Sequence, residues 1–183
     1  MTCIVGIIEP SGAVVMGADS CVTHGNLSAI LSVPKIIDRG NMLIGVTGDV
    51  RLLNIIETSL TIPVIPEGCS PRTYILEHLI PKLRECAKQH GHAEVKDQQE
   101  SQGGMLLIGF RGHLFSVGYY YSLCEFSTPY FAEGSGREVA LGALFATAGM
   151  DAETRITMAL NAACNLTCYV RPPFTILRKE WSA

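Results

Sequence analysis

The sequence lacks several features that identify common functional classes. Its 183 residues contain no cluster of lysine and arginine, and the formal net charge is only −3. Nucleic-acid-binding proteins need a strongly positive surface, so we expect no nucleic-acid partner. The seven cysteines include no CxxC pair, which argues against both a structural zinc site and a disulfide framework. We therefore expect neither a metal nor a cofactor.

Long apolar runs and export signals are also missing. The longest apolar run covers residues 139–150 and is interrupted by Gly142, Thr147 and Gly149. A run of that length is too short to span a bilayer. The N-terminus has neither the basic segment nor the apolar segment of a signal peptide. We therefore expect a cytoplasmic protein with no membrane partner.

Charged residues are scarce as well. They make up 17% of the chain, against 48% hydrophobic residues, so the chain is not intrinsically disordered. The length suits one domain with a sizeable core, and we assign residues 1–183 to a single domain. A surface with few charges is typical of a subunit covered by other subunits, but a large core rich in glycine and alanine explains it equally well.

The hydrophobic pattern predicts groups of strands separated by groups of helices. Asp49, Ser70 and Asp151 are suitable N-caps for helices, Pro81 should kink the second helix, and the polar residues 90–102 should form a surface loop. Strands are predicted at residues 3–8, 13–18, 34–38, 42–46, 105–110, 113–117, 129–132, 169–170 and 174–177. Grouped elements favour an α+β fold with two sheets between helical layers over a doubly wound parallel sheet.

The first predicted hairpin brings reactive groups together. A turn at Glu9-Pro10-Ser11-Gly12 pairs residues whose numbers sum to about 21, so Thr2 lies opposite Asp19 within one residue. A carboxylate at the end of an apolar strand needs a partner. Lys35 heads another apolar strand and is the natural candidate, although a lysine at a strand start can equally lie on the surface.

Thr2 also follows the initiator methionine. Removal of Met1 would expose an α-amine with an unperturbed pKa of ~7.7–8.0, which can act as a general base at neutral pH. A threonine hydroxyl activated by its own amine is a known nucleophile. Many chains begin with Met-Thr by chance, so this observation alone does not establish catalysis.

Five short motifs occur together in one order. The sequence resembles the proteasome β-subunit family of N-terminal-nucleophile (Ntn) hydrolases through Thr2-Cys3-Ile4-Val5-Gly6, Gly17-Ala18-Asp19-Ser20, Lys35, Gly45-Val46-Thr47-Gly48 and Gly134-Ser135-Gly136. Its closing segment, residues 162–177, resembles HslV and similar bacterial proteasome homologues. The resemblance implies a four-layer αββα sandwich of two antiparallel sheets between helices. It also implies a threonine peptidase that works inside stacked homo-oligomeric rings on peptides or unfolded protein.

The resemblance assigns a role to each matching residue. Thr2 would be the nucleophile, Asp19 and Lys35 its supporting ion pair, and the Gly48 N–H the oxyanion donor. Ser135 would hold the α-amine, although a serine in a tight glycine turn can also cap the following helix. An apolar pocket would be lined by Val33, Ile37, Val46 and Val50, and would favour cleavage after apolar residues. Any ATP-dependent unfoldase would be a separate chain, because no P-loop is present.

Three positions depart from the family pattern. Cys21 stands where arginine is common, and Asn165 and Cys168 stand where an acidic residue and a serine are common. Asparagine carries no charge, so its support of the amine is weakened. Two alternatives therefore stay open: an Ntn amidase that acts on small amides, and an inactive ring-forming scaffold. Cys3 is a rival candidate nucleophile, although a strand would point it away from Thr2.

Overall fold

The computed structural model describes residues 2–96 and 98–181. Within them the chain forms the strands β1 (Cys3–Ile8), β2 (Val14–Ala18), β3 (Cys21–His24), β4 (Leu27–Ile30), β5 (Ile36–Asp38), β6 (Leu43–Val46), β7 (Glu94–Lys96), β8 (Gln99–Ser101), β9 (Leu106–Phe110), β10 (His113–Val117), β11 (Leu123–Glu125), β12 (Tyr130–Gly134) and β13 (Thr175–Lys179). The helices are α1 (Val50–Thr58), α2 (Pro71–Tyr74), α3 (Ile80–Gln89), α4 (Arg137–Ala146) and α5 (Ala152–Leu166).

Two antiparallel sheets organise these elements. The first has the strand order β12-β1-β2-β13, and the second has the order β11-β10-β9-β6-β5. Strands β3 and β4 form a separate hairpin, as do β7 and β8. The chain is therefore a mixed fold of antiparallel sheets and helices, as the grouping of its elements predicts.

Three apolar clusters hold the sheets and helices together. One joins the second sheet to α1, α2 and α3, and another joins the first sheet to α4 and α5. The third lies between the two sheets and includes Ile4, Met16, Leu43 and Leu107. Successive side chains of a strand point to opposite faces. Both faces of β1 are therefore buried, and its first residues are held tightly in place.

The predicted helix starts are confirmed. Asp49 accepts a hydrogen bond from the backbone N–H of Arg51 at the start of α1. Ser70 and Asp151 each accept one from the third residue beyond them, at the starts of α2 and α5. These side chains satisfy donors that an α-helix leaves unpaired. The start of α1 matters most for function, because it follows Gly48.

The predicted distortion near Pro81 takes the form of a π-helical turn. Residues Ile75–Leu79 are π-helical and connect α2 to α3. Proline has no N–H, and its ring collides with the carbonyl one turn earlier in a regular helix. A wider turn relieves that collision without ending the helix.

Other predictions were wrong. Residues 90–102 contain the short hairpin of β7 and β8 rather than only a loop, and the hairpin of β3 and β4 was not anticipated. Both hairpins are largely exposed, so the apolar alternation that identifies a half-buried strand is weak in them. Residues 169–170 are not a strand. Pro172 and Pro173 follow closely and cannot donate to a ladder.

No helix within residues 2–96 and 98–181 combines the length and apolar character that crossing a bilayer requires.

The contact between β2 and α5 gives a test of the packing. A Cβ at Gly17 would lie 2.2 Å from Ile156 Cγ2, so Gly17→Ala should destabilise the protein by ~1–3 kcal/mol through overpacking. Gly142→Ala is the control, because no described atom beyond its chain neighbours and its own helix backbone lies within 4 Å of the added Cβ. In a helix this change should stabilise by ~0.5–1 kcal/mol. Urea unfolding measures both, and equal effects would contradict the described packing.

Candidate active site

The register of the first hairpin brings Asp19 to the start of β1. Ile4 pairs with Ala18, so Asp19 lies opposite Cys3, one residue from the predicted match with Thr2. Asp19 Oδ1 accepts a hydrogen bond from the Cys3 N–H at 2.9 Å, and Oδ2 accepts one from the Cys21 N–H at 2.8 Å. The carboxylate thus fixes the backbone directly after Thr2.

Lys35 is buried against this carboxylate. Its Nζ lies 2.9 Å from Asp19 Oδ1 and donates to the Cys21 carbonyl at 2.5 Å. The side chains of Lys35 and Asp19 are 4% and 0% exposed. Burial lowers the pKa of Lys35, while Asp19 opposes the shift. A buried charge is tolerated when it is paired and hydrogen-bonded, as it is here. The sequence alone allowed Lys35 to lie either on the surface or beside Asp19, and the structure places it in the interior beside Asp19.

Ser135 contacts Thr2 from the other side. The Thr2 nitrogen donates to Ser135 Oγ at 3.1 Å, and Ser135 Oγ lies 3.3 Å from the Thr2 carbonyl oxygen, to which it can donate. A Cβ at Gly134, where φ is +95°, would lie 2.2 Å from that same oxygen. Only glycine permits this approach. The N-cap of α4 is Gly136, with no side-chain cap, so Ser135 contacts Thr2 rather than capping the helix.

Gly48 lies at a second glycine-dependent turn. Its φ is +89°, and a Cβ there would lie 2.6 Å from the Gly103 carbonyl oxygen. Within the described part of the chain, the Gly48 N–H has no hydrogen-bond acceptor. Gly48 precedes Asp49, the N-cap of α1. An unpaired N–H beside a helix N-terminus is suited to binding an anion.

Thr2 and Gly48 line two adjoining clefts. The larger has a volume of about 390 Å³ and is also lined by Thr47, Met105, Tyr119, Gly134, Ser135, Arg137 and Glu138. The smaller has a volume of about 20 Å³ and is also lined by Leu31, Lys35, Val46, Asp49, Val50 and Leu53. Thr2 itself is 4% exposed. Its position between the clefts suits a nucleophile whose substrate extends in both directions.

The predicted pocket residues separate into two pairs. Val46 and Val50 line the smaller cleft. Val33 is 36% exposed on a loop, and Ile37 packs against the apolar cluster between the second sheet and its helices. Neither of this second pair lines the two clefts. Sequence analysis missed Leu53, although it lies one helical turn after Val50 and shares its face.

The end of α5 differs from the arrangement that the resemblance implies. Asn165 and Cys168 are exposed, and neither makes a hydrogen bond to Thr2 or Ser135. Arg171, which sequence analysis missed, supports the site instead. Its N–H lies 3.4 Å from Asp19 Oδ2, and its guanidinium donates to the Thr167 carbonyl at 3.1 Å. This arginine therefore links the end of α5 to Asp19.

Cys3 is unsuited to the role of nucleophile. It is fully buried. Burial raises the pKa of the Cys3 thiol to about 12, and the Asp19 carboxylate adds to the rise. The thiolate is the reactive form of cysteine, so Cys3 is unreactive near neutral pH. Among the described residues, no group of three or more histidine, cysteine or acidic side chains is arranged to hold a metal ion.

Comparison with solved structures identifies the fold. The protein BPH from Thiobacillus denitrificans superposes with a TM-score of 0.81, at 24% sequence identity over 98% of each chain. Its complex with epoxomicin gives the same score at 23% identity, over 98% of this chain and all of that one. HslV from Trypanosoma brucei gives a TM-score of 0.68 at 18% identity, over 97% of this chain and 98% of that one.

The chain has the fold of the proteasome β-subunit family. The resemblance carried by the sequence motifs is confirmed at that level. No protein-family model and no curated relative matches the chain. At these identities the likeness shows the fold alone, and the chemistry has to be argued from the residues around Thr2.

The buried ion pair provides a stability test. Lys35→Met leaves Asp19 without its counter-ion, and breaking a buried pair in this way typically costs ~3–5 kcal/mol. Lys82→Met is the control, because it removes only an exposed pair with Glu85, which contributes little to stability. Urea unfolding compares the variants. Equal losses would show that the Asp19–Lys35 pair is not a buried structural contact.

Proposed function

We propose that this protein is a threonine peptidase that uses Thr2, freed by removal of Met1, as its nucleophile. The observation that carries the proposal is the arrangement around residue 2. Its nitrogen contacts Ser135 Oγ at 3.1 Å, the buried Asp19–Lys35 pair holds the next residue, and Thr2 lines both clefts. The proteasome-type fold supports the same reading.

The first half of the reaction forms an ester. The α-amine of Thr2 takes the proton from its own hydroxyl, and Oγ attacks the carbonyl carbon of the peptide bond. The carbonyl oxygen becomes an oxyanion, which accepts a hydrogen bond from the Gly48 N–H. Among the described residues this N–H has no other acceptor. The C–N bond then breaks, and the proton passes from the α-ammonium to the leaving nitrogen. Positive charge at Lys35 favours the developing negative charge at Thr2.

The second half regenerates the enzyme. A water molecule gives a proton to the α-amine and attacks the ester carbonyl, so that a second oxyanion forms beside Gly48. Collapse of this intermediate releases a carboxylic acid, and the proton returns to Thr2 Oγ. Ser135 orients the amine throughout, since its hydroxyl lies within hydrogen-bond reach of the Thr2 nitrogen.

The smaller cleft supports a preference for apolar residues on the acyl side of the cut bond. Four of its eight described lining residues are apolar: Leu31, Val46, Val50 and Leu53. An apolar side chain loses no hydrogen bonds when it enters such a pocket, whereas a charged one loses its hydration. Fluorogenic peptides that are cut only after basic or acidic residues would contradict this preference.

The assembly belongs to the same proposal. We infer that the sheets and helices stack as the αββα sandwich of Ntn hydrolases, and that subunits form stacked rings in the cytoplasm, supplied by a separate ATP-dependent unfoldase. Large exposed apolar side chains such as Leu27, Phe145 and Leu166 support burial against other subunits. A mass of one or two subunits in size-exclusion chromatography would favour the small-amide hydrolase.

Substitution of the nucleophile tests the chemistry. Thr2→Ala removes the attacking oxygen and should reduce peptide hydrolysis by at least ~10³-fold. Thr2→Ser keeps both the oxygen and the amine and should retain measurable activity. Initial rates with a fluorogenic peptide that carries an apolar residue before the cut bond measure both variants. Full activity in Thr2→Ala would overturn the proposed mechanism.

An inactive scaffold is the second candidate, because Asn165 is exposed and makes no hydrogen bond to Thr2 or Ser135. Epoxomicin distinguishes the two, since a structure of the similar BPH protein is a complex with it. We expect intact mass spectrometry to show one covalent adduct per chain, mapped to Thr2 and absent in Thr2→Ala. An unmodified chain after prolonged incubation would favour the scaffold.

A further inference from the structure

If the protein is the peptidase proposed above, on which this inference rests, the part of the substrate after the cut bond lies in the larger cleft. The α-amine must hand its proton to the leaving nitrogen, so this nitrogen has to lie beside the Thr2 nitrogen. Ser135 Oγ is 3.1 Å from the Thr2 nitrogen and lines the larger cleft. The fragment after the cut bond therefore extends along Ser135 toward Arg137 and Glu138.

Arg137 is an exposed cation on the wall of the larger cleft. Within the described residues its exposed guanidinium forms neither a hydrogen bond nor an ion pair. It is the first residue of α4, where the helix dipole is positive and disfavours a cation. Glu138 occupies the same helical turn with the favourable sign. The helix dipole thus favours Glu138 but not Arg137, whose charge acts instead on the buried Glu133 carboxyl.

No acidic group among the described residues forms an ion pair with Arg137, so its charge can act on a ligand. Glu133 accepts a hydrogen bond from Ser116 at 2.5 Å between the sheets. Burial raises the pKa of Glu133, and the Arg137 charge opposes that rise only in part. Gly136 supplies no side-chain cap, so the first N–H groups of α4 add positive potential near the guanidinium. Among the described residues that line the larger cleft, Glu138 is the one with an acidic side chain.

We propose that Arg137 is a specificity-determining residue that binds a carboxylate in the first two residues after the cut bond. A guanidinium binds a carboxylate through two parallel hydrogen bonds. A substrate asparagine cannot form this pair, because its side-chain amide has one acceptor oxygen and no charge. The carboxylate belongs to an aspartate or glutamate side chain, or to the C-terminus of a short substrate. The substrate class is thus a peptide that is apolar before the cut and acidic directly after it.

Paired internally quenched peptides test this inference. The two peptides differ only in Asp or Asn at the first position after the cut, and a second pair places the difference at the next position. For the wild-type chain we expect kcat/KM to favour Asp by about fivefold at one of these positions, which is typical of an exposed ion pair. The preference should weaken in high salt.

Variants of opposite sign make the test specific. Arg137→Gln should bring the Asp/Asn ratio to about one, and Arg137→Glu should invert it. Glu138→Gln should raise the ratio, because it removes the opposing charge. The matched control is Lys82→Gln, on α3 and outside both clefts, which should leave the ratio unchanged. A loss of folding would lower the rates with both peptides together and would not move the ratio in opposite directions.

The outcomes separate this inference from the proposed peptidase. Cleavage of both peptides at equal rates, or a wild-type preference that persists in Arg137→Gln, overturns the role of Arg137 while the threonine chemistry stands. Cleavage of neither peptide, by wild type or by any variant, overturns the peptidase and this inference with it. A preference that follows the charge at residues 137 and 138 supports both.

Discussion

The site depends on one buried carboxylate. Asp19 accepts hydrogen bonds from the N–H groups of Cys3 and Cys21, and its Oδ2 lies 3.4 Å from the N–H of Arg171. It also pairs with Lys35 at 2.9 Å. Four segments that are distant in sequence therefore meet at one side chain. Because the bonded N–H of Cys3 directly follows Thr2, the position of the proposed nucleophile is set by this interaction rather than by contacts of its own side chain.

Two glycine turns complete the arrangement by letting backbone approach backbone. Gly134 allows Ser135 to reach the Thr2 nitrogen, and Gly48, whose N–H has no acceptor among the described residues, lines the same two clefts as Thr2. Any added Cβ at these positions would collide with a carbonyl oxygen. The fold thus places a hydroxyl, a nitrogen, an N–H donor and an ion pair in a small volume before any substrate arrives. This preorganisation is what electrostatic catalysis requires.

Sequence patterns could predict this centre because its residues lie on regular elements. Short runs rich in β-branched residues identified β1 and β2, and the turn at Glu9-Pro10-Ser11-Gly12 then placed Asp19 within one position of its observed partner. The helix starts followed from capping side chains. The resemblance supplied Gly48 and Ser135, whose roles no periodicity reveals. At this level of identity, the superposition on BPH and HslV confirms the fold and leaves those roles to experiment.

Sequence patterns failed where contacts between distant segments decide the structure. Arg171 supports Asp19 through its backbone N–H, which any residue type supplies, so no side-chain signal announces it. Leu31, which directly follows β4, lines the smaller cleft, and Arg137, the first residue of α4, lines the larger one. Apolar alternation predicts neither position. Asn165 and Cys168 were aligned on a family pattern, but the structure leaves both exposed.

The central claim is that the reactive group is a free amine and a hydroxyl on the same residue. N-terminal sequencing of purified protein that hydrolyses a peptide tests it most directly, with the active fraction counted by titration. The account predicts that active chains begin at Thr2 and that the fraction still carrying Met1 is inactive. Fully active protein with Met1 in place would contradict the account.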